Sequence, residues 1–261
     1  MDYLEIIQII NSVLVDDSSQ HLYLLLDYSQ LKKNQNSSLL SYGGIPIWRG
    51  VLKMKDETIS PVLFELDRQD FVHQIKQICE TIKDLPSYSI ILSPLLPTKL
   101  AEHLGQYSVC QTQDNQLLIL RFCDTRILPL LEKTFSDEHR THFFAPIVNW
   151  FYPDIAGEWQ LIESRYTGDV PKLKEVILEL TDSEYEAILD ASIPYILFSK
   201  IHEYLIQSGN MNRNIQSSLW KDIQFEIMKE DLSSPFFSIH GFVEEYLQLL
   251  PDKLEAWGSN G

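Results

Sequence analysis

The chain is predicted to be an α/β protein: an N-terminal α/β lobe with a mixed sheet, followed by an all-helical C-terminal lobe. Three observations carry that prediction. Short apolar runs alternate with helical periodicity up to about residue 125. The two runs within 107–122 are joined too closely for a crossover helix, which rules out a strictly parallel sheet. From Ile127 onward apolar residues recur mainly at helical spacing.

In chain order, residues 3–15 place Leu4, Ile6, Ile7, Ile10, Val13 and Leu14 on one helical face. Asp16–Ser19 breaks that helix, and His21–Asp27 (HLYLLLD) reads as a buried strand. A polar loop leads to a turn at Tyr42–Pro46, and Val62–Leu66 is a second strand behind Pro61. Phe71–Ile82 has helical spacing, Tyr88–Leu92 is a third strand, and Pro97 starts a short helix to Leu104. Tyr107–Gln111 and Leu117–Phe122 form a hairpin around Asp114-Asn115. Ile127–Lys133 and a Ser136-capped segment to Phe144 are helices.

The aromatic run Trp150–Trp159 reads as a turn between lobes, with Pro153 and Gly157 as turn residues, leading to a strand at Trp159–Glu163. Thr181-Asp182-Ser183-Glu184 is a capping box that opens a helix. Ser192-Ile193-Pro194 opens another, and Gly209–Asn214 is a linker. Trp220, Ile223 and Ile227 mark a third helical face, and Ser234-Pro235 opens a fourth helix that stops at Pro251. Residues 1–163 are thus the α/β lobe and 164–261 the helical lobe, with the boundary at 164–171.

The 261 residues carry 37 acids and 21 bases, for a net charge of −16. Such a chain is a poor partner for phosphate backbones, so no nucleic-acid role is expected. No apolar run approaches a membrane span, and Met1-Asp2-Tyr3-Leu4-Glu5 is acidic where a signal peptide needs a basic region. A cytoplasmic location follows as an expectation. Residues 161–261 hold 17 acids and 8 bases, which makes this third the more acidic per residue. Cys79, Cys110 and Cys123 show neither metal-ligand nor CxxC spacing, so no metal site and no cofactor are expected.

The chemistry-bearing feature is Leu117–Leu128, where an apolar strand runs into Arg121, Asp124 and Arg126. There is no GxSxG elbow and no phosphate-binding glycine loop. His139 and His142 read as surface histidines. Two roles remain for the charged cluster: an ion-pair set bracing the lobe junction, with Asp124 capping the next helix, or a partner contact. Trp150, Tyr152 and Trp159 carry the same pair of readings, wedge packing or a binding surface. A small α/β hydrolase or transferase using Asp124 is the enzymatic alternative, and an immunity protein neutralising a toxin domain is a third.

The chain resembles the effector adaptor/chaperone family of bacterial type VI secretion, the Tap or Tec proteins. The resemblance rests on Leu22–Asp27 (LYLLLD), Gly44-Ile45-Pro46, Ser60–Leu66, Ile91–Leu104 and the hallmark Leu118–Leu128 (LILRFCDTRIL). It continues through Phe144–Trp150 and Trp150–Trp159, and so spans about residues 20–160. Cys123 stands where the family usually has an aromatic, Thr125 where it has Pro, and Val62 where Trp is common. The resemblance implies a non-enzymatic adaptor that binds the N-terminal region of a cognate effector and loads it onto the VgrG spike. It also implies that the helical lobe, which matches no family motif, is cargo-specific.

Overall fold

In the computed structural model, residues 3–14, 19–30, 43–49, 59–81, 87–163, 177–230, 232, 234 and 237–258 are described. The expected boundary at 164–171 lies outside them. The chain divides into two compact units. One comprises residues 1–154 and 158–185, the other 155–157 and 186–261, so the division falls inside a helix.

The first unit is built on a six-stranded sheet of β1 (His21–Leu26), β2 (Ile45–Pro46), β3 (Val62–Leu66), β4 (Tyr88–Ser93), β7 (Asn149–Pro153) and β8 (Trp159–Glu163). Its order is β2-β3-β1-β4-β7-β8, and every pairing is antiparallel. Strands β1 and β4 are central and buried along nearly their whole length, which explains their continuous apolar runs. One face is covered by α1 (Tyr3–Leu14) and α2 (Phe71–Thr81), which bring Ile6, Ile10, Ile75 and Ile78 onto Leu24 and Ile90.

A second, three-stranded sheet is formed by β5 (Val109–Gln111), β6 (Leu117–Ile119) and β9 (Leu178–Glu179). It follows α3 (Pro97–Gln106), whose first turn holds Pro97 where no N–H is needed. Here the mixture of strand directions appears, because β5 pairs with β6 antiparallel and with β9 parallel. After β6 come α4 (Leu128–Thr134) and α5 (Asp137–Phe144), the latter capped by Ser136 Oγ as expected.

Gly44 earns its place in the turn before β2 by close approach. A Cβ there would collide with the Val62 and Phe64 side chains of β3, so no other residue fits without displacing them.

The second unit contains α6 (Asp182–Gln207) from Glu186 on, α7 (Arg213–Ile227) and α8 (Ile239–Gly258). Leu197, Ile201, Leu205, Leu219, Ile223 and Leu250 form its dry centre. Asn212 caps α7 through its side-chain oxygen, 3.0 Å from the Ile215 N–H. Asp222 on α7 accepts from Tyr246 Oη at 2.6 Å and Lys253 Nζ at 2.7 Å, both on α8.

Three elements differ from expectation. Trp150–Pro153 belongs to strand β7, which pairs with β4 over its first three residues and with β8 throughout, and only the residues after it turn. A run of aromatics suits a pleated strand, and Pro153 sits at its last position, where it closes the strand. Prolines 194 and 251 lie inside α6 and α8 and neither start nor stop a helix. Each costs one intrahelical bond, which the burial of Leu197, Phe198 and Leu250 on those helices outweighs. The last helix is Ile239–Gly258, with Ser238 Oγ taking the Gly241 N–H; Pro235, where it was expected to open, lies outside the described residues.

Candidate functional site

The hallmark segment forms two ion pairs, not one cluster. Arg121 lies in the turn after β6 and donates through Nη2 to Asp27 Oδ2 and Ser29 Oγ, both at 2.8 Å. Asp27 directly follows strand β1, 94 positions earlier, and its other oxygen accepts from the Ser29 N–H and Oγ. Its carboxylate is buried, while the Arg121 side chain remains 46% exposed. This pair therefore ties the region after β6 to the central strand of the large sheet.

Asp124 and Arg126 are a local pair. Asp124 Oδ1 accepts from the Arg126 N–H at 3.0 Å and from Nε at 2.9 Å, and Oδ2 accepts from Nη2 at 2.7 Å. The guanidinium thus grips the carboxylate with two of its nitrogens, the planar match that arginine provides. The Asp124 carbonyl accepts from the N–H groups of Ile127 and Leu128. Asp124 therefore locks the turn that launches α4, while the residue directly preceding the helix is Ile127. The expected side-chain cap by Asp124 is therefore not formed: no side chain caps α4 at Ile127, and the Asp124 carboxylate accepts from Arg126.

Cys123 is buried between these pairs. Burial first, then the Asp27 and Asp124 carboxylates, push its thiol well above the ordinary cysteine value, against the opposing pull of Arg121. Such a thiol stays protonated and is a poor nucleophile. Burial likewise raises Cys110 to about 11.

The aromatic candidates separate in the same way. Trp150 is fully buried, donates to Ser89 Oγ at 2.8 Å and packs on Phe122, Phe143 and Phe144. Tyr152 is buried as well. Trp159 is partly exposed and meets Tyr88 edge-on at 5.9 Å. Of the six residues singled out, only Arg121 is exposed; Arg126 and Trp159 are partly buried, and the Trp159 ring packs against the core of the large sheet with its Nε1 buried.

Sequence reasoning named Asp27 only at the end of a strand and Glu184 only in its capping box, not the partners that the fold brings to each. Glu184 Oε1 accepts from the Ser136 N–H at 2.7 Å and lies 2.8 Å from His139 Nδ1. Its Oε2 accepts from the Thr181 N–H and Oγ1, and Thr181 Oγ1 accepts in turn from the Glu184 N–H, completing the capping box. Burial alone would raise the Glu184 pKa. The donors at Ser136, Thr181 and His139 outweigh it and hold the carboxyl down to about 2. The capping box was legible; that its glutamate also clasps α5 was not, because Ser136 is 48 residues away.

Elsewhere in this unit, an open groove of about 490 Å³ is lined by His21, Glu65, Asp67 and Arg68, with His21 Nδ1 2.8 Å from Glu65. It contains no serine or cysteine. His139 points to Glu184 while His142 is exposed, and no group of three metal-ligating side chains exists among the described residues. No helix is long and apolar enough to cross a membrane among the described residues.

Neither a curated protein nor a solved structure matches the chain. What does match is a family model: residues 22–142, from strand β1 through most of α5 and including both ion pairs, are similar to the family described as a domain of unknown function (DUF4123).

Proposed function

We propose that this protein is a non-enzymatic adaptor that binds the N-terminal region of a cognate type VI secretion effector and loads it onto the VgrG spike. The observation that carries this reading is the match over residues 22–142 to a family typical of type VI effector adaptors. The geometry of the hallmark segment supports it. Its charges are spent on holding the turn and tethering it to β1, and its thiol is protonated and buried. The negative charge of the chain suits a partner segment with basic character. In this reading the family-matched part provides the common adaptor function and the residues after 163 provide cargo preference.

Coexpression with the effector encoded beside its gene tests the reading. A stable complex with the effector's N-terminal region is expected. Failure with every neighbouring effector sinks the reading, and binding to the isolated toxin domain instead makes the protein an immunity factor.

A further inference from the structure

The small sheet ends in an apolar edge strand among the described residues. Strand β6 is Leu117-Leu118-Ile119, short but with neither charge nor proline, and it lies at the end of the order β6-β5-β9. Soluble proteins often blunt such edges with charge or proline. The edges of the large sheet carry both: β2 ends in Pro46, and β8 carries the exposed Glu163. Leu117 is 63% and Ile119 44% exposed.

The register shows how both the main chain and the side chains of β6 are presented. The Thr112 N–H bonds the Gln116 carbonyl and the Leu120 N–H bonds the Ser108 carbonyl, at 3.0 and 2.9 Å. Cys110 stands opposite Leu118 between them, so the even-numbered residues form the hydrogen-bonded pairs. Leu117 and Ile119 occupy the alternate pairs, opposite Gln111 and Val109. Their N–H and C=O groups therefore point away from β5, toward the open edge.

Their side chains share the face opposite buried Cys110 and Leu178. By strand alternation Val109 lies on that face, as does exposed Ile177 just before β9. The charges on the three strands and the β5–β6 turn are Asp114 and Glu179, both acidic. The nearest following base, Arg121, is engaged by Asp27.

We propose that the open edge and outer face of β6 receive an extended segment of a partner protein, apolar on one side and basic in charge, as an added strand. Leu117 and Ile119 supply outward main-chain donors and acceptors, and the aliphatic row supplies the contact surface. The acids favour a basic segment and disfavour a second copy of this chain, which carries −16 itself. Strand addition works chiefly through the main chain and tolerates varied sequences, consistent with a surface in the family-matched part. That the segment belongs to a cargo effector rests on the adaptor reading above.

The test uses the full chain and a fluorescein-labelled peptide of alternating valine and lysine, with a leucine–lysine peptide at helical spacing as comparator. Ile119→Pro removes an outward N–H while sparing every β5–β6 bond, and Leu117→Lys places charge on the outer face. Melting temperature establishes that both variants are folded. We expect the alternating peptide to bind the wild type and each variant to weaken it about tenfold or more. Equal binding by wild type and variants overturns the proposal, as does absence of binding. Preference for the helical peptide with no effect of Ile119→Pro replaces strand addition by a helix on the face. A wild-type dimer abolished by Ile119→Pro makes the occupant a second copy and overturns the proposal as well. Effector copurification separates the two readings: an effector retained by Ile119→Pro leaves the adaptor standing and removes the β6 site. Peptide bound at β6 with no effector retained by the wild type does the reverse.

Discussion

Within the twelve residues Leu117–Leu128, two aliphatic side chains face water while two polar ones are buried. Leu117 and Ile119 are exposed, whereas Asp124 and Thr125 are almost wholly enclosed beside Phe122 and Cys123. The contrast teaches that burial along this segment follows the partners each side chain finds rather than its own hydrophobicity. Asp124 can be buried because Arg126 and the turn amides satisfy it, and Phe122 is buried because Phe143 and Trp150 meet it edge-on. The exposed half has no such cover among the described residues. A buried half that governs stability and an exposed half that does not is a separation that substitutions can break.

The largest effect is expected at Phe122. Phe122→Ala opens a void among Phe143 and Trp150 and should cost about 3–5 kcal/mol, read from denaturant midpoints. A loss below about 1 kcal/mol would mean that the aromatic cluster is not tightly packed. Asp124→Ala comes next at about 3 kcal/mol, because it strips the turn of its acceptor and removes the buried carboxylate that the Arg126 guanidinium grips. The cost is held to that level because Arg126 still reaches some water.

A third test moves from substitution to pH. The Glu184 carboxyl is held down to about 2, below its unfolded value, so its contribution is complete above the ordinary glutamate range. That contribution should fade as pH falls through the carboxylate range toward about 2, and Glu184→Gln should flatten the acid limb of a melting-temperature profile. An unchanged acid limb would remove Glu184 as the clasp between α5 and the first turn of α6.

Thr125→Val should stabilise by about 1 kcal/mol, since Thr125 Oγ1 is buried with no hydrogen-bond partner among the described residues. Thermal denaturation checks it, and a destabilised variant would reveal a partner for the hydroxyl. The smallest effect is expected at Leu117→Lys, within about 0.5 kcal/mol of the wild type, which matches its exposure. A large loss there would erase the distinction between the two halves.

Much of the fold was legible because its signals are local. The buried strands β1, β3 and β4, the Ser136 cap, the Thr181 capping box and the β5–β6 hairpin each depend on a few adjacent residues. Strand β7 was hidden because aromatics flanked by proline and glycine serve a turn as readily as a strand, and only pairing with β4 and β8 decides between them. The continuity of α6 and α8 through proline was hidden for a related reason, since the compensation lies in burial on the remaining turns. At the candidate site, the sequence placed Arg121, Asp124 and Arg126 together, and the fold kept Asp124 with Arg126 but paired Arg121 with Asp27.

By itself the sequence determined the α/β character, the acidic charge and the motif order through residues 22–142, because composition and spacing are properties of the chain. Tertiary structure alone decided that Arg121 pairs with Asp27 and that Glu184 holds Ser136 and His139. It also decided that Leu117 and Ile119 of strand β6 stand exposed. Each depends on contacts closed over long stretches of chain, and the free energy of such closure comes from the whole packed unit rather than from the residues that meet.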